Sequence, residues 1–207
     1  DLEEKLANIN INDNSKDRWL ESLPHGMSSY LLFANSVEIL ETKVRAKRQF
    51  IETVSLILSS IYLGALNNYP PLREEVFKDT ETKQKIVELI NETNIGNTKF
   101  INEKLSKEFR DLRDESEDYN GFSINEIFHI DDDIFLSSIL DTNLSGIFDK
   151  YIHWRNEDAH DLLPTKEDDL LELEEIIDRL RNIFLNSWNN VSLIFPTSVK
   201  PQIKDDR

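Results

Sequence analysis

A row of apolar residues at steps of three and four runs through the first third of the chain and constrains the fold more than any other feature. Its members are Phe33, Val37, Leu40, Val44, Ile51, Val54, Leu58, Ile61 and Ala65. Such steps return side chains to one face of an α-helix, and no proline lies within residues 28–65. Ser28 or Ser29 can cap the start, and the Gly, Asn and Pro residues of 64–71 can end the helix. The row predicts one long helix from about Ser28 to Ala65, bent near residues 45–48.

The rest of the chain carries shorter apolar stripes with the same spacing. They predict helices over residues 80–91, from 98 or 102 to 115, over 134–140, from about 143 through 154 into 155–160, and over 165–188. Thr80 and Thr82 are the predicted caps of the first of these, and Thr165 with Asp168 forms a variant capping box for the last. We predict a loop at residues 94–98, a short helix or irregular segment at 122–130, and a short amino-terminal helix that docks at Trp19.

The predicted fold is therefore all-α, an antiparallel helical bundle with one long central helix. We place the bundle at residues 28–188, after an amino-terminal extension or short helix at 1–27 and before a carboxy-terminal tail at 189–207. A length of 207 residues suits one domain. The five Gly and six Pro are few, as is usual for helical proteins.

Composition limits the chemistry and the location. The chain has no Cys, which excludes disulfides and thiolate nucleophiles or metal ligands. No uninterrupted apolar run reaches the ~18–20 residues of a membrane span. We therefore expect a cytoplasmic protein that does not enter a membrane.

The charge balance argues against general nucleic-acid binding. With 24 Lys and Arg against 40 Asp and Glu, the formal net charge is −16, which repels a polyanion. Any contact with RNA must therefore use a local patch, and the only dense basic cluster consists of Lys43, Arg45, Lys47 and Arg48. The alternative is a solvated helix face whose cations pair with Glu41 and Glu52.

Residues 151–160 concentrate the side chains that can support catalysis. Arg155 can grip a phosphate through two parallel hydrogen bonds, and His160 can exchange a proton near neutral pH. Asn156 can orient the histidine or the substrate without adding charge. Together they supply what cleavage of RNA by its own 2′-hydroxyl requires, without a metal or another cofactor. On a regular helix Arg155 and His160 diverge by roughly 140°, so their joint use requires a helix end, a second chain, or both.

The sequence Arg155-Asn156-Glu-Asp-Ala-His160 resembles the Arg-x4-6-His signature of the HEPN superfamily in its Arg-Asn-x-x-x-His form. The resemblance implies a helical bundle and a metal-independent endoribonuclease of a phage-defence or toxin-antitoxin type of system. It also implies a homodimer in which each chain gives an Arg and a His to the active site, RNA as the partner, and a regulatory protein partner. Family members often add a polar residue from an earlier helix, for which Glu38, Glu41 and Glu52 are candidates. The residue after the histidine is usually small in the family, whereas here it is Asp161.

Three alternatives stay open at this point. Arg155 can simply pair with Glu157 or Asp158, and His153 and His160 can be ordinary, partly buried histidines; for His153 we prefer that interpretation. The chain can also be a non-catalytic HEPN-like module for dimerisation or partner docking. Finally, two Glu-x-x-His sequences, at residues 126–129 and 157–160, have the spacing of a di-metal carboxylate bundle. In that case Glu38, Glu41 or Glu52 would supply further ligands.

Overall fold

A computed structural model of the chain describes residues 18–115, 123–160 and 166–189, except for the side chains of residues 90, 115 and 157–160. Over these ranges the chain is all-α, with no strand. The helices are α1 (His25–Ser36), α2 (Leu40–Asn68), α3 (Pro70–Val76), α4 (Thr80–Asn91), α5 (Ile95–Glu115), α6 (Ile124–Phe128), α7 (Asp133–Ile139), α8 (Asn143–His160) and α9 (Glu167–Phe184). Residues 18–22 are also helical and bring Trp19 into the core. The predicted all-α bundle with one long central helix, α2, is confirmed.

The predicted helix from Ser28 is wrong in its first part, because the chain leaves the helical conformation at residues 37–39. Val37 has φ −98° and ψ 149°, and Ile39 has φ −71° and ψ 117°, both extended. α1 folds back along α2, so that Asn35 lines one cavity with Lys47. The interruption thus lies before the predicted bend at residues 45–48, and α2 continues to Asn68, three residues past the predicted end.

Burial explains why the chain turns back. The side chains of Met27, Leu31 and Ala34 are buried, and a helix continuous with α2 would leave this face without a partner. Phe33, which the apolar row assigned to the core, is instead 50% exposed. From Val44 to Ala65 the row is buried apart from the half-buried Ile61, as predicted.

The predicted helix over residues 80–91 is confirmed as α4, but its cap is different. Asp79 has an extended backbone, and its carboxylate accepts hydrogen bonds from the Glu81 N–H at 3.1 Å and the Thr82 hydroxyl at 2.7 Å. Asp79 is therefore the N-cap, rather than Thr80 or Thr82.

The predicted loop at residues 94–98 is wrong, because α5 begins at Ile95. The Asn94 side-chain oxygen accepts a hydrogen bond from the Asn97 N–H at 2.9 Å, as a capping asparagine does. The segment 122–130 contains the short helix α6, whose Ser123 and Glu126 form a capping box. α3 starts with the Pro70-Pro71 pair, which the sequence indicated only as part of the end of the long helix.

The later helices agree with their predicted positions within a few residues. α7 begins one residue before the predicted 134–140, and α9 spans Glu167–Phe184 inside the predicted 165–188. At the start of α9 the Lys166 N–H donates to the Asp169 carboxylate at 2.6 Å. The part of the predicted amino-terminal helix before residue 18 and the predicted cap at Thr165 lie outside the described residues, as does most of the predicted tail at 189–207.

The core forms around α2. Its side chains pack against α1, α5, α6 and α9, while α5 also packs against α4 and α8. Tyr62, Phe109 and Phe128 form an aromatic cluster that joins α2, α5 and α6, with ring centroids 4.8–6.5 Å apart. The Tyr62 hydroxyl donates to the carbonyl of Ile139, which ties α7 to the same cluster.

A buried polar network fixes α2 against α5. The Ser59 hydroxyl donates to Asn102 Oδ1 at 2.7 Å, and Asn102 Nδ2 donates to the Ser55 carbonyl at 2.9 Å. Ser55 donates to Thr98 at 2.8 Å, so all four side chains have partners. A satisfied network of this kind sets the register of two helices, because a shift along the axis would leave buried polar groups unpaired.

We expect Asn102→Ala to lower the free energy of unfolding by about 2–3 kcal/mol, since it removes three buried hydrogen bonds, one with Ser59 and two with Ser55. Urea denaturation followed by circular dichroism measures the change. Asn91→Ala, at an exposed position on α4, is the matched control and should change stability by less than about 0.5 kcal/mol. Equal effects of the two substitutions would contradict a role of the network in stability.

α2 is long and apolar enough, by length and composition, to cross a membrane. Half of the relevant window is buried inside the bundle, and core helices of soluble proteins pass the same test. This finding is weak evidence on location, and the cytoplasmic location stays a prediction.

Candidate functional site

The motif arginine lies where α8 faces the middle of α2. Glu52 Oε1 accepts a hydrogen bond from the Tyr151 hydroxyl at 2.8 Å and lies 3.5 Å from Arg155 Nε. Tyr151 and Arg155 are four residues apart and therefore share one face of α8. One carboxylate oxygen of α2 thus holds two side chains of α8.

The contact between Glu52 and Arg155 lies at a partly exposed position. It uses Nε, and within the described residues Arg155 has no other ion pair. A guanidinium carries donors on both Nη groups as well as on Nε, and 38% of the Arg155 side chain is exposed. The predicted alternative pairs with Glu157 and Asp158 involve side chains outside the described ones.

Arg48 adds a second cation to this surface. Its guanidinium carbon lies 5.6 Å from the centroid of the Trp154 ring, within the range of a cation–π contact. Trp154 in turn stacks on Tyr151, with ring centroids 6.0 Å apart and an interplanar angle of 27°. Arg48 and Glu52 are four residues apart on α2, so two i,i+4 pairs face each other across the two helices.

Burial raises the pKa of the Tyr151 hydroxyl well above its usual range. The negative charge and the hydrogen bond of Glu52 act in the same direction, and Arg48 opposes them. Burial also raises the pKa of Tyr62, against a smaller opposing effect of Arg110. Both tyrosines therefore stay neutral in the folded protein at pH values where a free tyrosine ionises.

We expect these raised pKa values to make the fold sensitive to base. Unfolding returns each tyrosine to its ordinary pKa of 10.0. The free energy of unfolding therefore keeps its full value below that pH and falls as the pH rises above it. The loss should approach ~1.4 kcal/mol per pH unit for each tyrosine. Urea unfolding of the wild type and Tyr151→Phe across this range should give a smaller slope for the variant. Equal slopes would contradict a contribution from Tyr151.

The structure describes Asn156 fully and His160 only by its backbone. Asn156 is exposed and follows Arg155, about 100° further around the helix. His160 closes α8 as its last residue, and its side chain lies outside the described ones. His153 is exposed rather than partly buried, because it points away from the buried face of Tyr151 and Trp154.

The predicted basic cluster divides among three surroundings. Lys47, whose side chain is 10% exposed, pairs with Glu174 of α9 at 3.3 Å, and Lys43 lies one turn earlier on the same face. Arg45 is exposed and pairs with Glu41 at 3.8 Å, as the solvated-face interpretation proposed for that residue. Only Arg48 belongs to the surface around Arg155.

The di-metal alternative finds no support in the described part of the chain. Over these ranges no three His, Asp or Glu side chains come together as metal ligands. Glu126 is engaged in the capping box of α6, where it accepts from the Ser123 N–H at 2.7 Å. Glu52 contacts Tyr151 and Arg155. The side chains of Glu157 and His160 are not among the described ones.

Sequence reasoning named Glu52 only as one of three candidates and missed Tyr151 and Trp154 as parts of the site. A signal was present in the i,i+4 spacing of Arg48 with Glu52 and of Tyr151 with Arg155. The sequence carried no signal for the contact between α2 and α8, because the hydrogen-bonded residues are 99 positions apart in the chain. We define the side chains of Arg48, Glu52, Tyr151, Trp154 and Arg155 as the arginine site.

The predicted resemblance to the HEPN superfamily rests on the motif and its setting. Arg155 and His160 lie on one helix, and a carboxylate from an earlier helix contacts Arg155. A scan against protein-family models, a search of curated proteins and a search of solved structures return no match for this chain. Membership of the HEPN superfamily therefore stays a prediction from residues 155–160.

Proposed function

We propose that the chain is a metal-independent endoribonuclease of HEPN type that acts as a dimer. The observation that carries the proposal is the contact of Glu52 Oε1 with Arg155 Nε at 3.5 Å, which keeps a partly exposed guanidinium in place beside α2. A planar guanidinium held in this way suits bidentate binding of a phosphate. The nearby Arg48 adds positive charge on an otherwise acidic protein.

In the proposed reaction the 2′-hydroxyl oxygen attacks the adjacent phosphorus, and the bond from phosphorus to the 5′-oxygen breaks. Arg155 binds the phosphate and stabilises the charge that develops there. His160 takes the proton of the 2′-hydroxyl or gives one to the 5′-oxygen, and a second His160 in the dimer takes the other role. Asn156 orients one of these groups. The products are a 2′,3′-cyclic phosphate and a 5′-hydroxyl.

The helical backbone supports the dimer as one way to bring the two residue types together, the other being the helix end at His160. α8 runs to His160, and positions 155 and 160 of a regular helix diverge by roughly 140°. Two copies of α8 packed around a dyad would bring an arginine from one chain toward the histidine end of the other. We propose that the protein acts in a phage-defence or toxin-like system with a regulatory protein partner, as its resemblance to the HEPN superfamily implies.

A second candidate is a non-catalytic dimerisation or docking module. The Glu52 carboxylate neutralises Arg155 in the free chain, and the net charge of −16 disfavours RNA. A phosphate would then have to compete for the arginine, whereas a protein partner would not.

Cleavage of RNA in the presence of a chelator tests the proposal. Purified protein is incubated with total RNA and with a short oligonucleotide, and the same oligonucleotide is prepared with 2′-deoxy sugars. The proposed chemistry predicts cleavage of the RNA with 2′,3′-cyclic phosphate ends and no cleavage of the 2′-deoxy strand. His160→Ala should abolish cleavage, whereas His25→Ala, on the exposed start of α1, should not.

The outcomes separate the two candidates. Cleavage that persists in His160→Ala, or that acts on the 2′-deoxy strand, would contradict the mechanism. A protein that sediments as a dimer and leaves every RNA intact would favour the docking module. A monomer that cleaves RNA would contradict the shared active site.

A further inference from the structure

A cleft of about 220 Å³ adjoins the arginine site on the other side of Glu52. Tyr30 of α1 lines it, together with Gln49, Glu52, Thr53 and Leu56 of α2. The segment from Thr93 to Thr98, where α5 begins, completes the lining. Glu52 lines the cleft and also contacts Arg155, so the two surfaces are continuous.

The polar groups of the cleft are neutral, apart from Glu52. They comprise the amides of Gln49 and Asn94 and the hydroxyl of Thr53, which offer both donors and acceptors. Among the described residues that line the cleft, Glu52 alone carries a formal charge, and Arg155 offsets it. The cleft is therefore a poor site for a phosphate, and it suits a neutral group that needs several hydrogen bonds.

Asn94 is fixed before any ligand arrives. Its Oδ1 accepts the hydrogen bond from the Asn97 N–H, which orients the amide and leaves Nδ2 as a donor. Tyr30 and Leu56 contribute an aromatic ring and an apolar side chain, and Leu56 is 36% exposed. A flat ring with polar edges matches this combination, since bases of single-stranded RNA are recognised by stacking and by hydrogen bonds to their edges.

We propose that this cleft binds one base of a single-stranded RNA whose phosphate is held by Arg155. The inference rests on the proposed function for its choice of ligand. It adds a source of sequence preference, because the hydrogen-bonding amides of Gln49 and Asn94 distinguish bases, whereas Arg155 contacts a group that all nucleotides share.

Equilibrium binding to oligonucleotides that resist cleavage tests the proposal. Fluorescence anisotropy gives the Kd of wild-type protein for single-stranded 2′-fluoro oligomers of A, C or U of equal length. We expect one base to be preferred. Leu56→Trp should fill the cleft and weaken binding of that oligomer by about tenfold, a typical loss for one bound base. Gln49→Ala should reduce the difference among the three bases.

The matched control is Leu171→Trp, which places the same bulk at an exposed position of α9. Both tryptophan variants are checked by circular dichroism, and the exposed Gln49→Ala carries the test if Leu56→Trp does not fold. Unchanged Kd values and preference in the cleft variants would overturn the base site, even if RNA cleavage depends on Arg155. Base preference that depends on Gln49 in a protein that never cuts RNA would instead overturn only the nuclease. A wild type that binds no oligomer would overturn both.

Discussion

Arg155→Ala is expected to lower the rate of RNA cleavage by about 10²–10³-fold, the usual effect of removing one preorganised group that stabilises transition-state charge. The fold should tolerate the change, because Arg155 is partly exposed and its pair with Glu52 lies at the surface. We therefore expect the thermal midpoint to shift by no more than about 2–4 °C. Single-turnover cleavage of a labelled oligonucleotide measures the rate, and calorimetry measures the midpoint.

Two further variants show whether RNA cleavage depends on the guanidinium at position 155 or only on positive charge. Arg155→Lys keeps the charge but cannot contact Glu52 and a phosphate with one planar fork, so it should recover little activity. Arg179→Ala removes an exposed arginine of α9 that pairs with Glu175 at 2.6 Å, and it should leave cleavage unchanged. If Arg155→Ala cut RNA at the wild-type rate, Arg155 would have no part in catalysis.

Phe109→Ala is expected to lower the free energy of unfolding by about 3–5 kcal/mol, as other deletions of a buried aromatic ring do. Phe109 has no exposed surface and contacts Tyr62 and Phe128, so its loss leaves a cavity between α2, α5 and α6. For a domain of this size the loss corresponds to a fall of about 6–20 °C in Tm. Urea denaturation and calorimetry measure the two quantities.

The control for this variant is Phe33→Ala, which removes the same ring from a half-exposed position on α1. It should change stability by less than about 0.5 kcal/mol. A comparable loss in both variants would mean that the aromatic cluster is not a centre of the core.

Most helices could be predicted because their apolar stripes repeat at helical spacing. α4 and the buried face of α2 from Val44 to Ala65 follow directly from that pattern. The break at 37–39 could not be predicted, because Val37 and Leu40 continue the spacing and no Gly or Pro marks the interruption. Docking of Met27 and Leu31 on α2 decides it, and such tertiary packing commonly overrides local pattern.

The residues of the candidate site differ in how far the sequence alone predicts them. Arg155, Asn156 and His160 stand in one short motif and need no fold to be found. Glu52 needs the fold, because only its side-chain contacts with Tyr151 and Arg155 of α8 distinguish it from Glu38 and Glu41. Asp79 and Asn94 were recoverable in principle, since each is a standard capping residue just before a helix.

The break at residues 37–39 has a consequence for ligand binding. On an uninterrupted helix Tyr30 and Thr53 would stand about 35 Å apart, whereas in the hairpin of α1 and α2 they line the same cleft. Occupancy of the cleft and docking of α1 are therefore thermodynamically linked. Any molecule that binds between Tyr30 and Thr53 must stabilise the docked hairpin over the open one, by an amount set by its concentration relative to its Kd.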